Sequence, residues 1–287
     1  MTADAPALRA STLRALLLAP AGPLARLEVV DRTGSTNDDV VAGLRTTPEL
    51  WPGGTLLVAE HQEAGRGRTG RTWQTPAHTS LTCTFVVRPG PTGEGLGWLP
   101  LIAGLGVVRA LQATAGVPAR LKWPNDVLVA PPGVPSLPGW GGQRKVAGVL
   151  CDAVALPDEL AVAVGIGVNV SQDAAALPVP TATSLVLAGA RGVDREVLLV
   201  ALVSALAELS ERWQTGGGQA GESGLADEVA AVCATLGSRV RVELPGGAAL
   251  VGRAERLAGD GALVVAGEDG AEHVIRAGDV THLRPVD

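Results

Sequence analysis

The run Gly65-Arg66-Gly67-Arg68-Thr69-Gly70-Arg71-Thr72-Trp73 interleaves three arginines with three glycines and closes on a tryptophan. Glycine lets backbone amides approach a ligand closely. Arginine offers planar, permanently charged forks that fit paired carboxylate or phosphate oxygens. Those types at that spacing predict a flexible lid that grips an anion beside an aromatic wall. An Arg/Gly run can equally be a solvated or RNA-binding segment, but such runs are usually repeated in basic, disordered stretches. This one is single and lies between two apolar runs, which favours a small-molecule site.

Four other groups could do chemistry. Lys122-Trp123-Pro124-Asn125-Asp126 puts an amide and a carboxylate at a stiff turn. This is either an ordinary capped turn or a polar cluster for a metal-bound nucleotide, with Asp126 as the candidate Mg²⁺ ligand, directly or through phosphate. Lys145 heads the apolar run KVAGVLCD. It is either a solubility device at a strand edge or a cation that offsets developing charge. Gly165-Ile166-Gly167-Val168-Asn169-Val170 reads as a buried strand whose glycines open space and whose Asn169 can read a base edge. With no third glycine and no following helix it is a weak dinucleotide fingerprint. Ser35-Thr36-Asn37 is either a helix N-cap for a segment from Asp38 or a hydrogen-bonding set for a neutral ligand head. No GxSxG occurs, and His61, His78, His273 and His282 have no Cys or Ser partner nearby in sequence. That fits substrates reacting with each other while the protein supplies orientation and charge.

The elements that must position these groups follow from pattern. Residues 1–27 suggest a short helix on Leu8, Leu13, Leu16 and Leu17. Gly54 to Glu60 and Ser80 to Val87 read as buried strands flanking the lid. Pro100 to Ala115 has helical spacing, and Ala119 to Ala130 is extended but interrupted at Trp123-Pro124. Pro131 to Gln143 is Pro/Gly-rich and predicts an exposed, poorly ordered hairpin loop. Lys145 to Ala153 and Leu160 to Val170 read as paired strands. Asp194 caps a helix to Trp213 with a Leu198, Leu202, Leu206, Leu209 stripe, and Leu225 to Leu236 is a further helix. From Gly237, short alternating runs with glycine-rich turns about every ten residues indicate a small all-β barrel. The predicted division is 1–236 for the catalytic domain, with 1–27 as its N-terminal extension, and 237–287 for the barrel.

The chain has 287 residues, 46% of them apolar, which is ample for one large and one small domain. A net charge of −6 argues against non-specific binding to nucleic acid or an anionic membrane. Cys83, Cys151 and Cys233 show no ligand spacing and read as free thiols in a reducing cytosol. Leu13 to Ala21 is too short to span a bilayer and lacks a secretory start, so a cytoplasmic enzyme is expected.

In this order the motifs resemble the biotin protein ligase family, the biotin–acetyl-CoA-carboxylase ligases. The resemblance rests on STN at Ser35–Asn37, Gln62, GRGRTGR with Trp73, KWPND at Lys122–Asp126, KVAGVL from Lys145 and GIGVNV from Gly165. It covers about residues 28–287, and the order is more specific than any single motif. It implies an α+β fold: a mixed β-sheet catalytic domain packed with helices, class II synthetase-like, plus a small SH3-like C-terminal β-barrel. It also implies an ATP- and Mg²⁺-dependent ligase that makes biotinyl-5′-AMP and transfers biotin to a lysine of a biotin carboxyl carrier domain of acyl-CoA carboxylases. Ser35, Thr36, Asn37, Gln62, Arg66, Gly67, Arg68 and Lys145 would bind biotin. Gly65, Arg66, Arg68, Arg71, Trp73, Asn125, Asp126 and Asn169 would bind ATP and the adenylate, with Asn169 at the adenine. Lys145, Arg68 and Arg66 would be catalytic. Thr69 departs from the basic residue many members carry. Residues 1–27 are too few for the DNA-binding domain of bifunctional members, so a ligase without repressor activity is expected, as a monomer or weak homodimer. A lipoate or octanoate ligase shares the fold and the lysine and is the alternative enzyme reading; an Arg/Gly nucleic-acid module is the non-enzyme one.

Overall fold

A computed structural model describes residues 6–89, 95–244, 247–268, 270–276 and 278–282. After α1 (Ala10–Leu17) the chain runs through β1 (Arg26–Thr33), α2 (Thr36–Thr46), β2 (Thr55–Gln62), β3 (Ser80–Val87), α3 (Leu99–Ala115), β4 (Ala119–Lys122), β5 (Asp126–Val129), β6 (Arg144–Ala155), β7 (Leu160–Asn169), α4 (Arg195–Thr215) and α5 (Leu225–Val232). The strands form one seven-stranded sheet in the order β1-β2-β3-β7-β6-β5-β4. β1 and β2 are parallel and the other neighbours antiparallel, so the sheet is mixed.

The sheet is covered on both sides, so every residue of β3 is buried, the hydroxyl residues Ser80, Thr82 and Thr84 included. β7 shows how the two faces differ. Val162, Val164, Ile166 and Val168 enter the main core with α3 and α4. Ala161 and Ala163 join a smaller cluster with Val40 and Leu44 of α2. Because side chains alternate, Gly165 and Gly167 continue that small-residue face and leave space above it.

The helical stretch Leu96–Ala115, which contains α3, is apolar and long enough to cross a membrane, yet 67% of its most apolar part is buried, as in a core helix. Asp194 caps α4 by accepting from the amides of Glu196 and Val197 at 2.7 and 3.3 Å. Glu60 and Arg195, both buried, pair at 2.7 Å, and Arg195 also holds the Pro6 carbonyl. This ties the N-terminal extension to β2 and α4.

A five-stranded antiparallel sheet follows: β8 (Arg239–Glu243), β9 (Ala249–Leu257), β10 (Leu263–Gly267), β11 (Glu272–Ile275) and β12 (Asp279–His282), in the order β11-β10-β9-β8-β12. β8 alternates Arg239, Arg241 and Glu243 outside with Val240 and Val242 inside. Two indoles fasten it to the body of the larger sheet: Trp98 Nε1 donates to Gly259 O at 2.8 Å and Trp123 Nε1 to Gly261 O at 3.1 Å.

Three expectations need correction. α5 ends at Val232 rather than Leu236, because the chain turns extended there and Ala234 N donates to Leu121 O at 2.7 Å. α2 starts at Thr36, not Asp38. The Pro131–Gln143 tract is folded onto the body. Arg144 is buried and donates to Pro135 O at 2.6 Å and Gly141 O at 3.0 Å, while Trp140 lies over Lys122, 5.5 Å from ring centroid to Nζ. β1 had no prediction: its alternation is weak and its exposure mixed.

Candidate active site

One end of the cleft is neutral and hydrogen-bonding. Ser35 N-caps α2, its Oγ accepting from Asp38 N at 3.4 Å. That places Thr36 and Asn37 in the first helical turn, both buried. Gln62 Oε1 accepts from Thr36 N at 2.8 Å and from Thr36 Oγ1 at 3.0 Å. Thr84 Oγ1 lies 2.6 Å from Asn37 Oδ1 and 2.8 Å from Thr36 Oγ1. Asn37 Nδ2 donates to Leu150 O at 3.0 Å and Asp152 Oδ2 at 2.9 Å. A Cβ on Gly165 would stand 2.1 Å from Asn37 Oδ1, so only glycine fits there.

The lid is a tight loop closed by its own backbone. Trp73 N donates to Gly65 O at 2.7 Å and Gly67 N to Arg71 O at 2.6 Å. Its tip, Thr69-Gly70, is left-handed at φ 54° and 75°; glycine adopts this freely and threonine rarely. Its three arginines have different partners. Arg66 Nη2 reaches Asp38 Oδ1 at 2.6 Å and Asp152 Oδ2 at 2.8 Å. Arg68 Nη1 donates to Asn125 Oδ1 at 3.2 Å. Arg71 pairs with Asp279 of β12, so the C-terminal sheet touches the lid directly.

At the centre, Lys145 Nζ lies 2.6 Å from Asp126 Oδ1, and Lys122 Nζ is 3.8 Å from Asp126 Oδ2. Burial pushes the Asp126 carboxyl up, but Lys145 and Lys122 outweigh it and hold it below the usual carboxylate range. Burial pushes the Lys122 ammonium below its ordinary value against the pull of Asp126. Lys145 Nζ is also 5.7 Å from the Trp73 ring centroid. A Cβ on Gly148 would meet Lys145 Nζ at 2.9 Å, and one on Gly167 would meet Trp73 Cε2 at 2.5 Å. Trp73 Nε1 is buried without a hydrogen-bond partner, a donor that an acceptor on a ligand could use.

Two cavities meet at this centre. One, about 470 Å³, is lined by Ser35, Thr36, Asn37, Gln62, Arg66, Gly67, Arg68 and Lys145, the whole set expected at one substrate. The other, about 1670 Å³, is lined by Arg68, Arg71, Trp73, Asn125, Asp126 and Asn169, with Lys122, Trp140 and Asp279. Gly67, Arg68, Trp73, Asn125 and Lys145 belong to both. Gly65 lines neither and acts through the lid's backbone closure. Asn169 has both amide ends engaged, Nδ2 with Thr183 O at 2.9 Å and Oδ1 with Gln172 Nε2 at 3.0 Å. Each end keeps one further valence, a second N–H and a second lone pair, so a base contact would add to these bonds.

Thr84, Asp152 and Asp279 were not expected. Asp152 was visible as a lone acid in the apolar KVAGVLCD run, whereas Thr84 and Asp279 gave no signal because their partners are distant in sequence. For a metal, the wider cavity offers two carboxylates, both already paired: Asp126 with Lys145 and Lys122, and Asp279 with Arg71. Among the described residues no cluster of three His, Cys, Asp or Glu could hold an ion. The donor set does not fit a protein-held metal.

Comparison with known proteins places the geometry. Residues 29–170 match the model of the Biotin/lipoate A/B protein ligase family, and 235–283 match the Biotin protein ligase C terminal domain. A biotin–[acetyl-CoA-carboxylase] ligase of Mycobacterium tuberculosis is 38% identical over 283 residues, covering 97% of this chain and 97% of that protein. One from Paracoccus denitrificans is 39% identical over 124 residues, 42% of this chain and 45% of that protein. Among solved structures, the biotin protein ligase of Aquifex aeolicus in complex with biotin and ATP superposes with TM-score 0.66 at 28% identity, covering 91% of this chain and 98% of that one.

Proposed function

The chain belongs to the biotin/lipoate A/B protein ligase family, and from that membership and the joined cavities we propose that it is a biotin–protein ligase. It activates biotin with ATP as biotinyl-5′-AMP and transfers the biotinyl group to a lysine of a carboxyl carrier domain. In the first step a biotin carboxylate oxygen attacks the α-phosphate, the bond to the bridging oxygen breaks, and pyrophosphate leaves. In the second, the acceptor amine attacks the anhydride carbonyl, AMP departs and the amine loses a proton, leaving an amide.

The observation that carries this reading is the position of Lys145 where the two cavities meet. A carboxylate anchored by a head group at Thr36, Asn37 and Gln62 and a phosphate arriving from the wider cavity would converge on its ammonium. Lys145 would draw charge from both reacting oxygens, and Asp126 would hold it there. Arg66 and Arg68 would grip the anhydride from the lid, Trp73 would wall it from water, and Arg71 would order the loop. Asn125 and Asp126 would serve the phosphate end and Asn169 the adenine. Any Mg²⁺ would be carried on the phosphates. The acceptor would be the carrier domain of an acyl-CoA carboxylase, in line with the biotin–[acetyl-CoA-carboxylase] ligase of Mycobacterium tuberculosis. The free thiols suit a reducing cytoplasm: burial raises those of Cys83 and Cys151 to about 12. We place the enzyme there, as a monomer or weak homodimer acting on no nucleic acid or membrane.

ATP–pyrophosphate exchange tests the reading. Exchange should depend on biotin and not on lipoate, and label should pass to the lysine of an added carrier domain. Exchange driven equally by lipoate would overturn it.

A further inference from the structure

We propose that Asp152 is a positioning residue that couples the biotin-head end of the cleft to the lid, an inference that rests on the function proposed above. Asn37 Nδ2 and Arg66 Nη2 donate to the same atom, Asp152 Oδ2, at 2.9 and 2.8 Å. Both donors line the smaller cavity, and Asp152 supports them from behind.

Each donor also has partners besides Asp152. Asn37 is buried, its Nδ2 shared with Leu150 O and its Oδ1 against Thr84 Oγ1, so the network sets which way its amide points. Arg66 opens the lid, and its Nη2 also reaches Asp38 on the first turn of α2, next to Asn37. The lid arm, the helix that presents the head-binding residues and β6 therefore share one carboxylate oxygen. A neutral ring that seats against Asn37 steadies the acceptor that holds Arg66. By linkage, a phosphate that settles the lid must tighten the seat of the ring by the same factor. Exposed ion pairs contribute little singly. Here the effect comes from a shared acceptor, and Asp152→Ala removes both bonds at once.

The test uses the full chain and the variants Asp152→Ala, Asp152→Asn and Asp152→Glu. Biotin affinity is titrated with and without a non-hydrolysable ATP analogue, and trypsin cleavage at the lid arginines is timed with and without biotin. Wild type should show tighter biotin binding with the analogue and slower lid cleavage with biotin. In Asp152→Ala the affinity ratio should fall to about one and the biotin protection should vanish, with Asp152→Glu restoring both in part. If the alanine variant does not fold, Asp152→Asn carries the test: it keeps an acceptor for Asn37 and loses the charge for Arg66. Its biotin affinity alone should stay within about twofold while lid protection is lost. Wild-type coupling and protection in these variants would overturn the proposal, as would a wild-type ratio of one. Failure of the wild type to bind biotin would instead overturn the proposed function.

Discussion

Lys145 and Asp126 lie 2.6 Å apart, Nζ to Oδ1, on the adjacent strands β6 and β5, and the lysine has Trp73 on its other side. The ammonium is held by a charge and an aromatic wall before any substrate arrives. Such preorganised charge acts on the transition state without reorganising at the moment of reaction. Lys145→Ala should therefore reduce biotin-dependent pyrophosphate exchange by at least ~100-fold, the scale of losing one such group. The side chain is partly exposed and outside the core, so circular dichroism and melting should stay near wild type. A folded Lys145→Ala protein with near-normal exchange would remove the lysine from the mechanism.

Asp126 gives a pH prediction with a definite sign. Its carboxyl is held below its unfolded value by Lys145 and Lys122, so it contributes stability above the unfolded pKa of about 4 and loses it as pH falls through the folded value. Asp126→Asn leaves Lys122, which is buried, without its counter-charge. The variant should be less stable by about 3 kcal/mol near pH 7, the lower end for breaking a buried pair, since Lys145 is partly exposed. Denaturant titrations from pH 7 to pH 3 should show the gap narrowing below about pH 4. A gap that widens on acidification would contradict the charge assignment.

Arg68 tests the lid. It borders both cavities and bonds Asn125 at 3.2 Å, so it joins the lid tip to the turn below. In Arg68→Gly the loop loses that anchor and a fork for the adenylate, while the Gln62 and Thr36 end is untouched. Biotinyl-5′-AMP should leave at least several-fold faster and label bystander lysines in a mass-spectrometric assay. Unchanged release would mean that retention lies elsewhere.

What the sequence made legible follows the range of each interaction. β3 has the bounds Ser80–Val87 that its β-branched and apolar content predicts, and α4 is marked by the Asp194 cap and leucine stripe. These are local signals. The Arg66–Asp152 and Arg71–Asp279 pairs span 86 and 208 residues, and nothing in the run Gly65–Trp73 shows which acid each arginine meets. The Pro/Gly tract misleads for a related reason. Its composition describes a free chain, whereas Arg144 binds the tract's own carbonyls of Pro135 and Gly141 and its Trp140 packs against Lys122, partners that composition cannot see.

Gly165 and Gly167 sit two residues apart on the small-residue face of β7, yet they should fail differently when given a methyl group. A Cβ at Gly165 falls 2.1 Å from Asn37 Oδ1 and 2.7 Å from its Cγ. Asn37 cannot yield cheaply, because Leu150 O, Asp152 and Thr84 all hold it. Overpacking of this kind costs ~1–3 kcal/mol, and 1.4 kcal/mol is tenfold in affinity, so Gly165→Ala should weaken biotin binding by about tenfold or more. At Gly167 the new methyl meets Trp73 at 2.5 Å, but Trp73 rides on the lid and can swing outward. Gly167→Ala should keep biotin affinity within a few-fold while speeding escape of the adenylate, since the displaced indole no longer closes the cleft. Calorimetry with biotin and an adenylate-release assay on both variants separate the two effects. If Gly167→Ala weakens biotin binding as much as Gly165→Ala does, Trp73 belongs to the fixed wall of the biotin site and not to a movable lid.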